Sequence, residues 1–174
     1  MAIEMFARGE RVDMQELAAA LGVGRTTLYR WVGDRERLLG EVLAILTRRT
    51  WEAVAAEADG EGVERGLGVI RRFMEVTSEF PPLRRFAQSE PGPALRILMA
   101  VDGPVAQALR EGSARAMAEA LPNVKRAPDG LSEVLVQLGT ALEWGPIVAG
   151  EEPAIDRAID LMRTVLLASG VDER

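Results

Sequence analysis

Apolar residues recur three and four positions apart through most of the chain, and no stretch alternates apolar and polar positions as a half-buried strand does. The pattern predicts an all-α protein punctuated by Pro and Gly. A short segment, Ala2 to Ala7, is apolar at Ile3 and Phe6 and ends in the breaker ARGERVD. Asp13 with Glu16 three residues on is a capping-box pattern that opens a helix from Met14 to Leu21, and Gly22 supplies its left-handed C-terminal cap. A second short helix is expected from about Arg25 to Val32. Gly33-Asp34 then resets the chain, and Asp34 caps a long helix reaching about Ala58, where DGEG ends it.

Further along, Val63, Leu67, Ile70 and Met74 mark a helix to about Ser78 that stops before Phe80-Pro81-Pro82. Helices are expected at Leu83 to Gln88, Ala94 to Val101 and Val105 to Leu121, followed by the loop PNVKRAPDG. The last two, about Leu131 to Val148 and Pro153 to Ala168, are the most apolar pair. In the final one Ile155, Ile159, Met162 and Leu166 form a stripe, and Ala158, Leu161 and Val165 widen it beyond what one face of a monomer needs. Gly139 and Gly145 in the penultimate helix point to close approach of another helix, since each Gly costs about 1 kcal/mol relative to Ala. A dimer through the last two helices is expected.

Composition narrows the chemistry. The 174 residues include no His and no Cys. Imidazole bases, thiol nucleophiles, disulfides and the usual zinc and haem ligand sets are excluded, and neither a metal nor a cofactor is expected. Glu151-Glu152 beside Pro153 reads as a helix N-terminus rather than an acid/base pair, so no enzyme is expected. Apolar runs fall well short of the roughly 18 residues of a membrane span, and the N-terminus lacks a signal-peptide pattern, which places the protein in the cytoplasm. The net charge of −6 argues against indiscriminate coating of nucleic acid. It is unevenly divided: residues 1–49 hold 8 basic and 7 acidic side chains, and the remainder holds 13 and 20.

The informative stretch is MQELAAALGVGRTTLYRWVGDRERLL, Met14 to Leu39. Two helices of about eight residues around Gly22-Val23-Gly24 have the dimensions of a helix-turn-helix, in which the first helix braces the second in the DNA major groove. Leu17, Ala18, Leu21 and Val23 are expected to pack inward with Leu28 and Val32. The opposite face of the second helix presents Arg25, Thr26, Thr27, Tyr29 and Arg30, donors that reach base edges and phosphates. Arg35, in the first turn after the cap Asp34, is a further phosphate candidate.

This stretch resembles the TetR/AcrR family of one-component bacterial regulators. The likeness lies in LAAALGV, then RTTLYRWV as the recognition helix, then GDRERLL opening the fourth helix. GERVDMQELAAALGVGRTTLYRWVGDRERLL also resembles a subgroup that includes quorum-signal-degradation regulators. The resemblance implies that Arg25, Thr26 and Arg30 face bases, that Thr27, Tyr29 and Arg35 hold the backbone, and that Gln15 is a weaker phosphate candidate. Trp31 either packs on the sugar-phosphate edge or fills the module's core. The resemblance also implies a first helix starting further upstream with basic residues, so the first helix here is expected to be shortened.

The fold expected is therefore a three-helix DNA-binding module, residues 1–49, fused to a helical effector-binding and dimerisation body, residues 50–174, with about nine or ten helices in all. The function implied is a homodimeric repressor of a double-stranded DNA operator, released by a small apolar or amphipathic effector. A dimerising sensor or decoy that has lost DNA binding is the alternative. Candidate effector-pocket residues are Phe73, Met74, Phe86 and Met99, whose simpler reading is core, and Gln137, Thr140, Glu143 and Trp144 in the penultimate helix. The simpler reading of Glu143 is a rim charge at a dimer seam.

Overall fold

A computed structural model describes residues 1–120 and 130–169. Ten α-helices, and no strand, occur among the described residues: α1 Ala2–Ala7, α2 Met14–Ala20, α3 Arg25–Val32, α4 Arg35–Ala56, α5 Gly62–Glu79, α6 Pro81–Ser89, α7 Pro91–Leu98, α8 Pro104–Ala120, α9 Leu131–Val148 and α10 Ile155–Ala168. The loop expected from Pro122 falls outside the described residues until Gly130, which caps α9 in the left-handed conformation.

The caps read from the sequence are formed. The Asp13 carboxylate accepts from the backbone N–H of Gln15 at 2.7 Å and of Glu16 at 3.0 Å. Asp34 does the same for Arg37 at 2.8 Å. Boundaries differ where proline was read as a stop. Helices α6 and α7 begin on Pro81 and Pro91, ahead of the expected Leu83 and Ala94, because proline's fixed φ and missing N–H suit the first turn. Helix α7 also ends at Leu98, short of Val101, as the chain folds into a turn in which the Gly103 N–H donates to the Ala100 carbonyl. Helix α10 starts two residues later than expected, at Ile155.

Two apolar cores lie along α4. The first gathers Phe6, Leu17, Leu28, Leu39, Phe86 and Ile147, so the three N-terminal helices share it with α4, α6, α7 and α9. The second is built around Trp51, Leu67, Phe73, Leu135, Ile159 and Met162 from α4, α5, α9 and α10. Helix α4 runs unbroken through residues 49 and 50 and contributes Leu39 and Leu43 to one core and Trp51 and Val54 to the other. Movement of α4 is therefore felt in both.

Candidate nucleic-acid interface and effector cavity

At the N-terminal end, α2 and α3 are joined by a turn in which Gly22 takes φ +66° and the Val23 N–H closes back on the Ala18 carbonyl at 3.0 Å. Leu17, Ala18 and Leu28 are buried between the helices. Leu21 is not: as the C-cap of α2 it swings off the packed face into solvent, and Val12 and Met14 fill the core there instead. This corrects the inward placement expected for Leu21.

The outer face of α3 presents Arg25, Thr26, Tyr29 and Arg30 as exposed side chains, with Thr27 half-buried at their edge. The Arg25 guanidinium lies 5.7 Å from the Tyr29 ring centroid, a cation–π contact that holds both side chains over one surface. Trp31 is 60% exposed, so it does not fill the module's core. Gln15 is exposed at the start of α2.

Arg35 is placed differently from a free phosphate arm. Its guanidinium forks onto the Glu90 carboxylate at 2.7 and 2.8 Å, and its Nε donates to the Val12 carbonyl at 2.7 Å. The exposed cation in that turn is Arg37, which lays its aliphatic stem over Gly33. Local sequence does not separate the two arginines, because the partner that takes up Arg35, Glu90, lies 55 positions further along the chain.

The candidate effector residues do not form one site. Phe73, Met74, Thr140 and Glu143 meet at a pocket of about 30 Å³ at the second core, together with Trp51 and Met162. Met99 and Gln137 line a separate surface groove of about 380 Å³ beside α8 and α9, sharing Val136 and Thr140 with the pocket as a common wall. Phe86 packs edge-to-face on Phe6 at 6.0 Å, and Trp144 is buried, both in the first core. Their place is the joint between the N-terminal helices and the body. Periodicity shows that a residue is buried and does not show in which core.

Glu143 is 4% exposed, which removes it from any dimer rim. Thr77 Oγ1 lies 2.6 Å from Glu143 Oε1 and 2.8 Å from the Phe73 carbonyl oxygen. Burial pushes the Glu143 carboxyl up to about 8, and the hydrogen bonds from Thr77 and Trp144 offset only part of that rise. At neutral pH the group is mostly the uncharged acid. Trp51, which the sequence reading also missed, stacks on Phe73 with ring centroids 4.0 Å apart and planes within 8°. Gly112 makes that possible, for a Cβ there would lie 2.3 Å from the indole ring. The Trp51 indole N–H is buried without an acceptor.

A helix-turn-helix with an exposed, donor-rich second helix, carried by a long helix into an all-α body, defines the class of helix-turn-helix regulators. Comparison with known proteins makes the assignment specific. Residues 61–167, more than half of the chain, match the tetracyclin repressor-like C-terminal domain. The solved structure of the transcriptional repressor QsdR of R. erythropolis, a TetR-family protein, is 33% identical with a TM-score of 0.87, over 99% of this chain and 92% of that one. Two HTH-type transcriptional regulators of Mycobacterium tuberculosis, MT0489 and Rv0472c, are 32% identical over 84 residues; the match spans 47% of this chain and 36% of each of theirs. The chain belongs to the TetR family of transcriptional regulators.

Proposed function

We propose that this protein is a homodimeric, cytoplasmic repressor whose residues 1–49 read a double-stranded DNA operator and whose residues 50–174 bind an effector and dimerise. The observation that carries the reading is the outer face of α3, where Arg25, Thr26, Tyr29, Arg30 and Trp31 stand exposed on a helix buried on its other side through Leu28. Arg25, Thr26 and Arg30 face bases; Thr27, Tyr29, Trp31 and, more distantly, Gln15 hold the backbone. The likeness to a solved repressor supports the sign of regulation.

The dimer is proposed through α9 and α10. Val134 and Leu161 are 49% and 40% exposed there, and Val134, Leu138, Ala141 and Gly145 fall on one stripe of α9. The two glycines of α9 divide cleanly. A Cβ at Gly139 would meet the Met162 methyl at 2.9 Å, so that glycine serves packing within the chain. Gly145 faces open space, which leaves room for a helix of a second copy. Two recognition helices would then reach half-sites about one helical turn, roughly 34 Å, apart. An effector that binds one body conformation better than the other shifts the dimer away from that spacing and releases the operator.

The test is selection of bound fragments from a random double-stranded DNA pool by the purified chain, at two salt concentrations. Enrichment of a pseudo-palindrome at low salt, weakened at high salt, is the expected result. No enrichment at low salt overturns DNA reading and leaves the dimerising sensor.

A further inference from the structure

The seam between the N-terminal helices and α6 holds a pocket of about 170 Å³. Phe6 of α1 and Val12 of the α1–α2 connection line it on one side, Leu39 of α4 and Phe86 of α6 on the other, and all four are buried. Its rim is charged, and unevenly so. Of the two carboxylates there, Glu90 is forked by Arg35 at 2.7 and 2.8 Å, and Glu10 is forked by Arg8, a residue outside the pocket, at 2.7 and 3.0 Å. Two guanidiniums are left over. Arg85 of α6 meets no carboxylate among the described residues, and its polar contact there is a long donation to the Gly9 carbonyl at 3.4 Å. Arg11 is 72% exposed and stands 4.0 Å from a Glu90 oxygen that Arg35 already holds. The α1–α2 connection is shaped around Arg85, for Gly9 takes φ +74° and a Cβ there would lie 2.8 Å from the guanidinium Nη1. Ser89, one turn further along the same face of α6, adds a hydroxyl to the rim.

We propose that this pocket binds a compact carboxylate with an apolar body, its head group held between Arg85 and Arg11 and its body laid against Phe6, Val12 and Phe86. Charge decides the head group. An amine would face two guanidiniums while both carboxylates are already forked, and an uncharged amide would leave the guanidiniums without a counter-charge. Arginine suits the task because its planar fork matches a carboxylate. The walls decide the rest of the molecule, since a bare inorganic anion would be desolvated against aromatic and aliphatic faces and gain the rim contacts alone. The volume sets the size: sites for drug-sized ligands run to about 300–1,000 Å³, and this one suits a single ring or a short branched chain. Arg11 leads into α2 of the recognition module and Arg85 belongs to α6, so a carboxylate shared by both fastens module to body beside the Arg35–Glu90 fork. Such a site is separate from the pocket at Thr140 and Glu143, and it works whether or not α3 reads DNA.

Four small probes separate the possibilities: benzoate, benzamide, benzylammonium and acetate. Each is titrated calorimetrically into the intact chain at low salt and about pH 6, where benzoate is ionised. The Arg85 Nε–H signal is followed by ¹H–¹⁵N NMR and assigned by its loss in Arg85→Gln. Benzoate is expected to move that signal and to bind about tenfold or more tightly than the other three. Arg85→Gln should weaken benzoate about tenfold and Arg11→Gln about threefold, while Arg72→Gln, an exposed change on α5, leaves its affinity unchanged. Arg85→Lys keeps the charge and loses the fork, and should fall between the parent and Arg85→Gln. Both pocket arginines are exposed, so the variants are expected to keep the parent's far-ultraviolet circular dichroism. Acetate as tight as benzoate would make this a bare anion site, and benzylammonium tighter than benzoate a cation site on Glu10 and Glu90; either overturns the proposal. So does benzoate binding that ignores Arg85→Gln, or no binding by any probe. Full benzoate affinity in Arg11→Gln overturns the bridge between module and body.

Discussion

Arg35 and Glu90 meet as a forked ion pair, Nη1 on Oε2 at 2.7 Å and Nη2 on Oε1 at 2.8 Å. Arg35 opens α4 and Glu90 forms the corner between α6 and α7, so the fork ties the base of the recognition module to the body. Both side chains are mostly buried, and the geometry is bidentate, which sets the pair apart from exposed ion pairs of little worth. Glu90→Gln is expected to lower unfolding free energy by about 1–3 kcal/mol in urea titrations, since it leaves the guanidinium half-satisfied. Arg35→Ala should cost a similar amount, and the double variant less than the sum. Because Arg35 is committed to Glu90, its removal should leave the salt slope of DNA binding unchanged, whereas Arg37→Ala should reduce that slope by about 0.9. A reduced slope for Arg35→Ala would return it to the phosphates.

Arg30 stands exposed on the last turn of α3, on the face where base edges are proposed to lie. Arg30→Ala should weaken operator binding by about 1–3 kcal/mol and relax preference at one position of each half-site. Fluorescence anisotropy on the selected operator and its single-base variants measures both. A loss that is uniform across those variants would make Arg30 a backbone contact instead.

Gly112 and Trp51 lock α8 against α4. A methyl at Gly112 would overlap Cγ and Cδ1 of the indole at 2.3 Å, and the ring is backed by Phe73, so it cannot retreat. Gly112→Ala is expected to destabilise the chain by about 1–3 kcal/mol, the usual range for overpacking, even though alanine is the better helix former. Near-ultraviolet circular dichroism should change with it as the Trp51–Phe73 stack is broken. Unchanged or increased stability would show that α8 slides freely over α4.

Leu161 on α10 lies on the face proposed to meet a second copy. Leu161→Glu should convert a dimer to a monomer in sedimentation experiments without unfolding it, because the side chain is 40% exposed and belongs to neither buried core. A dimer that persists moves the interface away from this face.

The reading module was legible because its signals are local. Asp13, Gly22 and Asp34 act on neighbours within four residues, and the order of small, apolar and hydroxyl residues between them sets one geometry. The pocket was only half legible. Of the residues expected to line an effector pocket, Phe73, Met74, Thr140 and Glu143 do meet. Phe86 and Trp144, expected beside them, belong to the other core, because which neighbour a buried face finds is decided by helix crossing and not by period. Trp51 went unnoticed for the complementary reason: its role depends on Gly112, sixty-one positions away in the chain, and on an N–H whose lack of a partner is visible only in three dimensions.

Glu143 offers a test of the second core that needs no ligand. Its ordinary pKa is 4.5, and burial raises it to about 8 in the folded chain. Above pH 4.5 the unfolded chain gives up this proton while the folded chain keeps it, so raising the pH favours unfolding. The stability contributed is complete below about 4.5 and is lost as pH rises to about 8, at up to about 1.4 kcal/mol per pH unit. Other carboxyls act in the opposite direction and in a different window. Glu10, Glu36 and Glu64 are held below the usual range by hydrogen bonds from Arg8, Arg96 and Arg163, and Asp13 by the backbone N–H groups of Glu16 and Gln15. Their contribution is lost only in acid, as pH falls through those depressed values. Urea unfolding between pH 5 and 8 therefore isolates Glu143. Stability should fall with pH in the parent, and Glu143→Gln, which fits the same space and has no proton to lose, should flatten the curve. Parallel curves for the two proteins would mean that the carboxyl reaches solvent or a cation as the folded chain breathes, and the pocket would then be polar rather than apolar.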